Sequence, residues 1–307
     1  MPVPCTFCDE TVSFAQRLAD NRILCEACRV VQFFETQLTL TGDFSGQPFI
    51  LYPEIKKILR EVFGTLDDEG YRQYREVYLE MATSNSKTTI GAGLVLAFLV
   101  GATTSGTEVY SAASAKSQAG IAFQFAQQMI RNSVDLSRRL AVVPSTRTIY
   151  RYDDPTCFYR ALSADGDVND GMAPSFVLRD EIHRWRTRKQ LQLNDVLERK
   201  MGKRKNPLMW DITTAGDPDE SPLWVRRNDY ARGIAEGVFH NPRFYGRIFA
   251  ADAKRIEKEP DYWKSREAAV AANPAHEDLG GFLKHPGFED YIAKAENSAL
   301  DKNNYLR

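Results

Sequence analysis

Apolar residues recur along this chain in two alternating rhythms. Short runs rich in β-branched and aromatic residues fall at 77–81, 108–112, 157–162, 176–178 and 208–213, with one more at 244–250. Each is too short for a helix and most are bounded by polar or turn-forming residues, the mark of strands. Between several of them the spacing changes to that of a helix, at 90–100 and 117–132. Upstream, 30–40 and 53–63 also read as helices, the second with Ile55, Ile58, Leu59 and Val62 on one face. Strands alternating with helices predict an α/β fold, a mostly parallel sheet with helices on both faces and right-handed crossovers. Beyond residue 220 strand signals thin out and charged helical patterns dominate. The expected organisation is a small N-terminal module over 1–35, an α/β core over 36–220 and a lid or linker over 221–307.

Candidate chemistry sits at the ends of three of these strands. After 77–81 comes a polar turn, then Lys87 and Thr88, then the apolar helix, which is the order strand, phosphate loop, helix. The full Walker A pattern has glycine where Met81 and Ser86 stand, so only the Lys-Thr pair fits. Backbone N–H groups of Thr83, Ser84, Asn85 and Ser86 would cradle phosphates at the helix N-terminus, Lys87 would lie against the β- and γ-phosphates, and the Thr88 hydroxyl would ligate Mg²⁺. A residue with a Cβ is costly at positive φ. Ser86 therefore predicts a loop that keeps φ negative there, or one with a weaker nucleotide grip.

The second strand end is Asp180-Glu181, a Walker B type pair closing the run 175–181. A buried parallel strand ending there delivers two carboxylates to the mouth of the sheet, where open α/β sheets bind ligands. Asp180 would hold Mg²⁺ directly or through water, and Glu181 would orient and deprotonate an attacking water. Arg179, one residue earlier, is out of place in a fully buried strand. The third end is Thr213-Thr214, whose hydroxyls can bond a γ-phosphate or a water and report whether it is present. The ordinary alternatives are a solvated acidic pair and plain β propensity for the threonines.

The segments 78–89, 108–118, 162–185 and 212–216, with Asn273-Pro274 further on, resemble the ATPase half of a tailed-phage terminase large subunit. The resemblance covers roughly 36–307, and its most distinctive part runs from Asp170-Gly171-Met172 to Asp180-Glu181-Ile182-His183-Arg184-Trp185. Members of that family are motors that pump viral DNA into a procapsid. The resemblance implies a P-loop NTPase (RecA/ASCE-like) core that hydrolyses Mg-ATP. Lys87 and Thr88 fall on the nucleotide-binding pair, Asp180 and Glu181 on the acidic pair, and Thr213, Thr214 and Gly216 on the segment that couples hydrolysis to movement. Double-stranded DNA, a portal protein, a small terminase subunit and a ring of identical subunits are the implied partners, and the host cytoplasm the implied location. The segment 49–59 resembles the one that reads adenine, but the glutamine expected near Ile55 is absent. An arginine finger can come from a neighbouring subunit; the candidates are Arg138 and Arg139, with Arg147 and Arg151 behind them. The chain ends at Arg307, before the nuclease half of such proteins could fit, so the expectation is the motor portion alone, without nuclease activity. The competing classes are a helicase-like DNA translocase and a non-catalytic docking protein whose nucleotide site has decayed.

Composition changes this picture in three ways. With 43% hydrophobic residues in 307 and a formal net charge of −1, the chain is a globular protein whose affinity for DNA must come from a local patch. One such patch runs from Arg184 to Lys205, where Arg184, Arg186, Arg188, Lys189, Lys203, Arg204 and Lys205 are the candidate backbone contacts. No apolar run is long enough to span a bilayer, and the N-terminus carries no secretory pattern, so neither membrane nor secretion is expected. Four of the five cysteines form two Cys-x-x-Cys pairs, Cys5/Cys8 and Cys25/Cys28. That spacing reads as a structural Zn²⁺ site, which would supply the folding energy that so short a segment cannot gain by burial. The fifth, Cys157, reads as a buried small hydrophobe.

Overall fold

The computed structural model describes residues 23–164 and 171–298, together with the short strand pieces β1 (Val3–Pro4), β2 (Thr11–Val12) and β3 (Gln16–Arg17). β1 pairs with β2, and β3 with β4 (Ile23–Leu24), both antiparallel. Cys5 and Cys8 lie outside the described residues, as do residues 165–170 of the distinctive segment. Helices α1 (Glu26–Gln37) and α2 (Pro53–Gly64) lead into the main sheet.

That sheet has eight strands. β5 (Glu76–Glu80), β6 (Glu108–Ala113), β9 (Phe158–Ser163), β10 (Pro174–Asp180), β11 (Leu208–Thr213) and β12 (Phe244–Ile248) run parallel. β7 (Leu140–Val143) and β8 (Thr148–Arg151) form an antiparallel extension at one edge. The spatial order is β12-β5-β11-β10-β6-β9-β8-β7. Crossovers are made by α3 (Lys87–Val100), α4 (Lys116–Asn132) with the short α5 (Val134–Arg139), α6 (Arg188–Met201) and α7 (Pro222–Ala235). Three further helices, α8 (Ala253–Lys258), α9 (Arg266–Ala272) and α10 (His285–Asn297), follow the last strand.

Side-chain alternation explains the layers. Val77 and Leu79 of β5, Phe176 and Leu178 of β10, and Leu208, Trp210 and Ile212 of β11 face one side, where they pack with residues of α1, α2, α3 and α4 such as Phe34, Leu59, Leu94 and Phe123. Tyr78, Val177 and Met209 face the other, against Trp185, Leu193, Leu197 and Leu223. Strands buried on both faces read as continuous apolar runs, which is why the sequence exposed them. α3 is apolar all round because it lies in the middle of the first layer, as an interior helix must. Helix α6 starts cleanly because Thr187 and Gln190 form a reciprocal capping box. Among the described residues no helix is long and apolar enough to cross a membrane.

Two features depart from the expected layout. The hairpin of β7 and β8 was not legible as strands: its residues were seen only as an arginine-bearing stretch, and its turn, Pro144–Thr146 closed by Arg147 at φ 49, carries no glycine. And β12 hydrogen-bonds in parallel register to β5, Phe244 opposite Glu76 and Ile248 opposite Glu80, so the sheet runs well past residue 220.

Candidate functional site

The carboxyl ends of β5, β10 and β11 bring together residues far apart in sequence. Lys87 opens α3 just after the turn that leaves β5. It is 6% exposed, and its Nζ donates to the Met81 and Ala82 carbonyls at 3.2 and 2.9 Å. Thr88 donates through Oγ1 to Asp180 Oδ2 at 3.1 Å. Asp180 is the last residue of β10, and its Oδ1 is buried with no hydrogen-bond partner among the described residues. Glu181 follows in the left-handed region at φ 50. Lys87, Thr88, Asp180 and Glu181 therefore share one cleft.

The electrostatics of the cleft pull its two carboxyls apart. Burial, and then the adjacent Glu181 charge, push Asp180 up to about 7. Burial also works against ionisation of Glu181, but the His183 hydrogen bond and the Lys87 charge outweigh it and hold that carboxyl below the usual range. Burial lowers the Lys87 ammonium, and the Glu181 and Asp180 charges oppose that effect. A pair of carboxyls set apart in this way can divide roles, one meeting a cation and the other accepting a proton.

The raised Asp180 value carries a stability consequence. Between about pH 4 and 7 the folded protein holds a proton that the unfolded chain has shed, so this group's contribution falls as pH rises through that window. Asp180→Asn should then stabilise the ligand-free protein by about 1–3 kcal/mol above pH 7 and by nothing near pH 4. Thermal melts at pH 4 and pH 8 measure this, and a lower melting temperature for the variant at pH 8 would contradict it.

His183 ties the acidic pair to the end of β11. Its Nε2 faces Arg184 Nε at 3.4 Å, which as acceptor puts the ring proton on Nδ1. Nδ1 stands 3.0 Å from Glu181 Oε2, 3.1 Å from Thr213 Oγ1 and 3.2 Å from Thr214 Oγ1. The Thr213 hydroxyl also donates to the Thr214 carbonyl at 2.7 Å. Gly216 follows against the Trp224 indole, where a Cβ would come within 2.7 Å of the ring. That indole N–H donates to Glu80 at the end of β5 at 2.7 Å. The sequence analysis singled out neither Trp224 nor Glu80: Glu80 ends β5, but Trp224 lies inside α7, where no strand end marks it.

Several expectations are corrected. Ser86 does not keep φ negative: it stands at 59, and Ser84 at 64. Arg179 is fully buried yet paired: Nε and Nη2 bond Asp211 at 2.5 and 2.8 Å, while Nη1 reaches Glu198 at 2.9 Å and also bonds Asn194. Its guanidinium is shared out across the sheet, which is why it is tolerated in a strand. Arg138 and Arg139 are exposed on α5, and Arg139 donates to the Val100 carbonyl at the far end of α3 at 3.4 Å. A helix of that length sets them about 20 Å from Lys87, so a finger from either would serve the cleft of a neighbouring copy, as the sequence expectation has it. Arg147, by contrast, lies with its guanidinium next to Gly120 in the first turns of α4, on the cleft's edge of the sheet. The run of basic residues is also not one patch. Arg184, Arg186, Arg188 and Lys189 precede or open α6, whereas Lys203, Arg204 and Lys205 follow it at the opposite edge. Lys203 bonds the Met172 carbonyl at 2.9 Å, Arg204 bonds the Ala173 carbonyl at 2.7 Å, and Arg186 pairs with Glu220.

At the N-terminal end, Cys25 caps α1 and its Sγ accepts the Cys28 N–H at 3.3 Å. Among the described residues no three His, Cys, Asp or Glu side chains gather as a metal cluster.

A mostly parallel sheet with polar side chains converging over the carboxyl ends of its central strands defines an α/β protein whose polar cleft lies at the sheet's mouth, where open α/β sheets bind ligands. The family model for the terminase large subunit ATPase domain matches residues 55–232, more than half of the sequence, and the chain belongs to that family. It is 29% identical over 281 residues to the large terminase subunit of Enterobacteria phage HK97, a match over 90% of this chain and 51% of that protein. The crystal structure of the HK97 large terminase superimposes with a TM-score of 0.73 at 25% identity, over 92% of this chain and 54% of that one. A shorter match joins 105 residues to the protein YmfN of Escherichia coli K12, at 32% identity over 34% of this chain and 21% of the other. The chain thus spans about half the length of the phage terminase it matches.

Proposed function

We propose that this chain hydrolyses Mg-ATP and couples the reaction to translocation of double-stranded DNA into a procapsid. The observation that carries the reading is the Thr88 hydroxyl on Asp180 at 3.1 Å, beside a buried lysine and a carboxylate oxygen with no protein partner among the described residues. A hydroxyl and a carboxylate converging there fit a Mg²⁺ that takes its remaining ligands from phosphates and water. The ion would neutralise phosphate charge. Lys87 would leave the Met81 and Ala82 carbonyls for the β- and γ-phosphates, and the backbone of Thr83, Ser84, Asn85 and Ser86 would cradle them. Glu181, ionised, would take a proton from water as the water oxygen bonds to the γ-phosphorus and the bond to ADP breaks. The position of β11 between the loop-bearing and acid-bearing strands supports a RecA/ASCE-like core. The His183 contacts to Thr213 and Thr214 support a coupling role for that segment, with Gly216 following them against Trp224. The arginine finger would come from a neighbouring copy in a ring, with Arg138 and Arg139 as candidates and Arg147 and Arg151 behind them. DNA backbone contact fits the group Arg184, Arg186, Arg188 and Lys189 better than Lys203 and Arg204, which are engaged with internal carbonyls.

Phosphate release from Mg-ATP, with and without duplex DNA, tests the reading. The expected result is release that stops with a chelator, rises with DNA and loses that rise as salt increases. Flat release under all conditions would turn the reading to a docking protein with a decayed site, and strand displacement on forked DNA to a helicase-like translocase.

The N-terminal cysteines support a second element of the proposal, a Zn²⁺ held by Cys5, Cys8, Cys25 and Cys28. An N–H donated to Sγ at a helix N-terminus favours the thiolate that a metal needs. Metal analysis of the purified chain should find about one zinc per chain, lost in Cys25→Ser and Cys28→Ser; a zinc-free wild type with four reactive thiols would end this assignment.

A further inference from the structure

The turn between β5 and α3 enters the left-handed region twice without a glycine at either place. Ser84 and Ser86 both stand in the left-handed region, at φ 64 and 59. Such conformations persist in residues bearing a Cβ only where the surroundings over-determine them. Asn85, between the two serines, is fully buried and uses its whole amide. Its Nδ2 donates to the Ala82 carbonyl at 3.1 Å, the Thr83 carbonyl at 3.0 Å and Asn273 Oδ1 at 2.8 Å. Its Oδ1 accepts the Ala275 N–H at 3.0 Å, and its backbone carbonyl accepts the Tyr52 hydroxyl at 3.0 Å. A further tie joins the Ala82 N–H to the Ala272 carbonyl at 3.3 Å.

The segment that holds Asn85 is itself fixed. Asn273 Nδ2 donates to the Ala269 carbonyl at 2.9 Å, and the Leu283 N–H to the Ala275 carbonyl at 2.8 Å. Gly281 makes the return possible, since a Cβ there would fall 2.0 Å from the Ala275 carbonyl oxygen. The turn is therefore shaped from outside, by residues that follow the last strand of the sheet.

We propose that Asn273 and Ala275 are positioning residues for the nucleotide. They hold Asn85, Asn85 holds the two left-handed serines, and grip on the triphosphate depends on this latch in place of loop glycines. The inference rests on the nucleotide-binding reading above. It implies reciprocity: if the latch improves triphosphate binding, bound triphosphate must tighten the latch by the same factor.

Two measurements test it. Asn273→Ala is expected to weaken binding of a fluorescent ATP analogue about tenfold and to raise KM, with kcat within about twofold of wild type. In a Ser84→Gly/Ser86→Gly background the same substitution should cost about twofold or less, because glycine adopts the left-handed region unaided. A general packing defect would weaken binding equally in both backgrounds; that equality, or an unchanged affinity for Asn273→Ala, overturns the proposal. Hydrogen exchange on the wild type needs no variant to fold. Nucleotide should slow exchange over 82–88 and 272–283 together, and protection confined to 82–88 overturns the latch. A wild type that binds no nucleotide would instead overturn the reading on which the latch rests.

Discussion

Glu181→Gln should slow phosphate release by about 10²–10⁴-fold while leaving nucleotide affinity within about twofold of wild type. The substitution keeps the size of the side chain and an acceptor for the His183 Nδ1–H, so the cleft retains its shape. What it removes is the capacity to take a proton from water. That capacity is built in: the carboxyl is held ionised by His183 and Lys87, and it stands beyond the end of β10 in a left-handed conformation that costs about 1 kcal/mol or more in a residue bearing a Cβ. Strain retained at such a position is best explained by the side chain's aim. Single-turnover phosphate release together with nucleotide binding separates the two steps. A loss of less than tenfold would show that another group takes the proton.

Asp211→Ala should destabilise the protein by about 3–5 kcal/mol, a fall in melting temperature on the order of 10 °C for a chain of this size. Asp211 is fully buried between two guanidiniums, that of Arg179 at 2.5 Å and that of Arg227 at 2.8 Å. Burial alone would raise its carboxyl, and the two arginine charges more than reverse this. Removing the carboxylate leaves both cations in the sheet's interior; Arg179 keeps Asn194 and Glu198, and Arg227 keeps Glu76. Replacing Arg179 by Met and Asp211 by Leu together should recover only the part of the loss that Arg179 carries, because the buried Arg227 still lacks this carboxylate. Calorimetry of the single and double variants measures both, and a single-variant loss below about 1 kcal/mol would contradict the account.

The core strands were legible because they are buried on both faces: 208–213 coincides with β11, and 77–81 and 108–112 fall within one residue of β5 and β6. The cleft residues were legible for a related reason, since in parallel sheets ligand-facing groups sit where an apolar run stops. The contact between Asn85 and Asn273 was not: each stood in a segment the sequence singled out, but they lie 188 positions apart and no spacing rule joins them. The left-handed serines escaped notice because the force that imposes them comes from that remote pair. The basic run was misread as one surface because sequence proximity was taken for spatial proximity, whereas α6 carries its two ends to opposite edges. The β7–β8 hairpin turns without the Asn-Gly or Gly-rich signal that marks most tight hairpins.

The place of β11 has a mechanical consequence. The loop and the acidic pair are carried by strands that never touch; a third strand separates them, so the two walls stand about 10 Å apart. The tip of that middle strand, Thr213, lies between them, while the Thr88 hydroxyl reaches across to Asp180 at 3.1 Å. From that tip the chain runs through Gly216, packed on the Trp224 indole, into α7, so the strand flanked by both walls is also the one that leads directly out of the sheet into that helix.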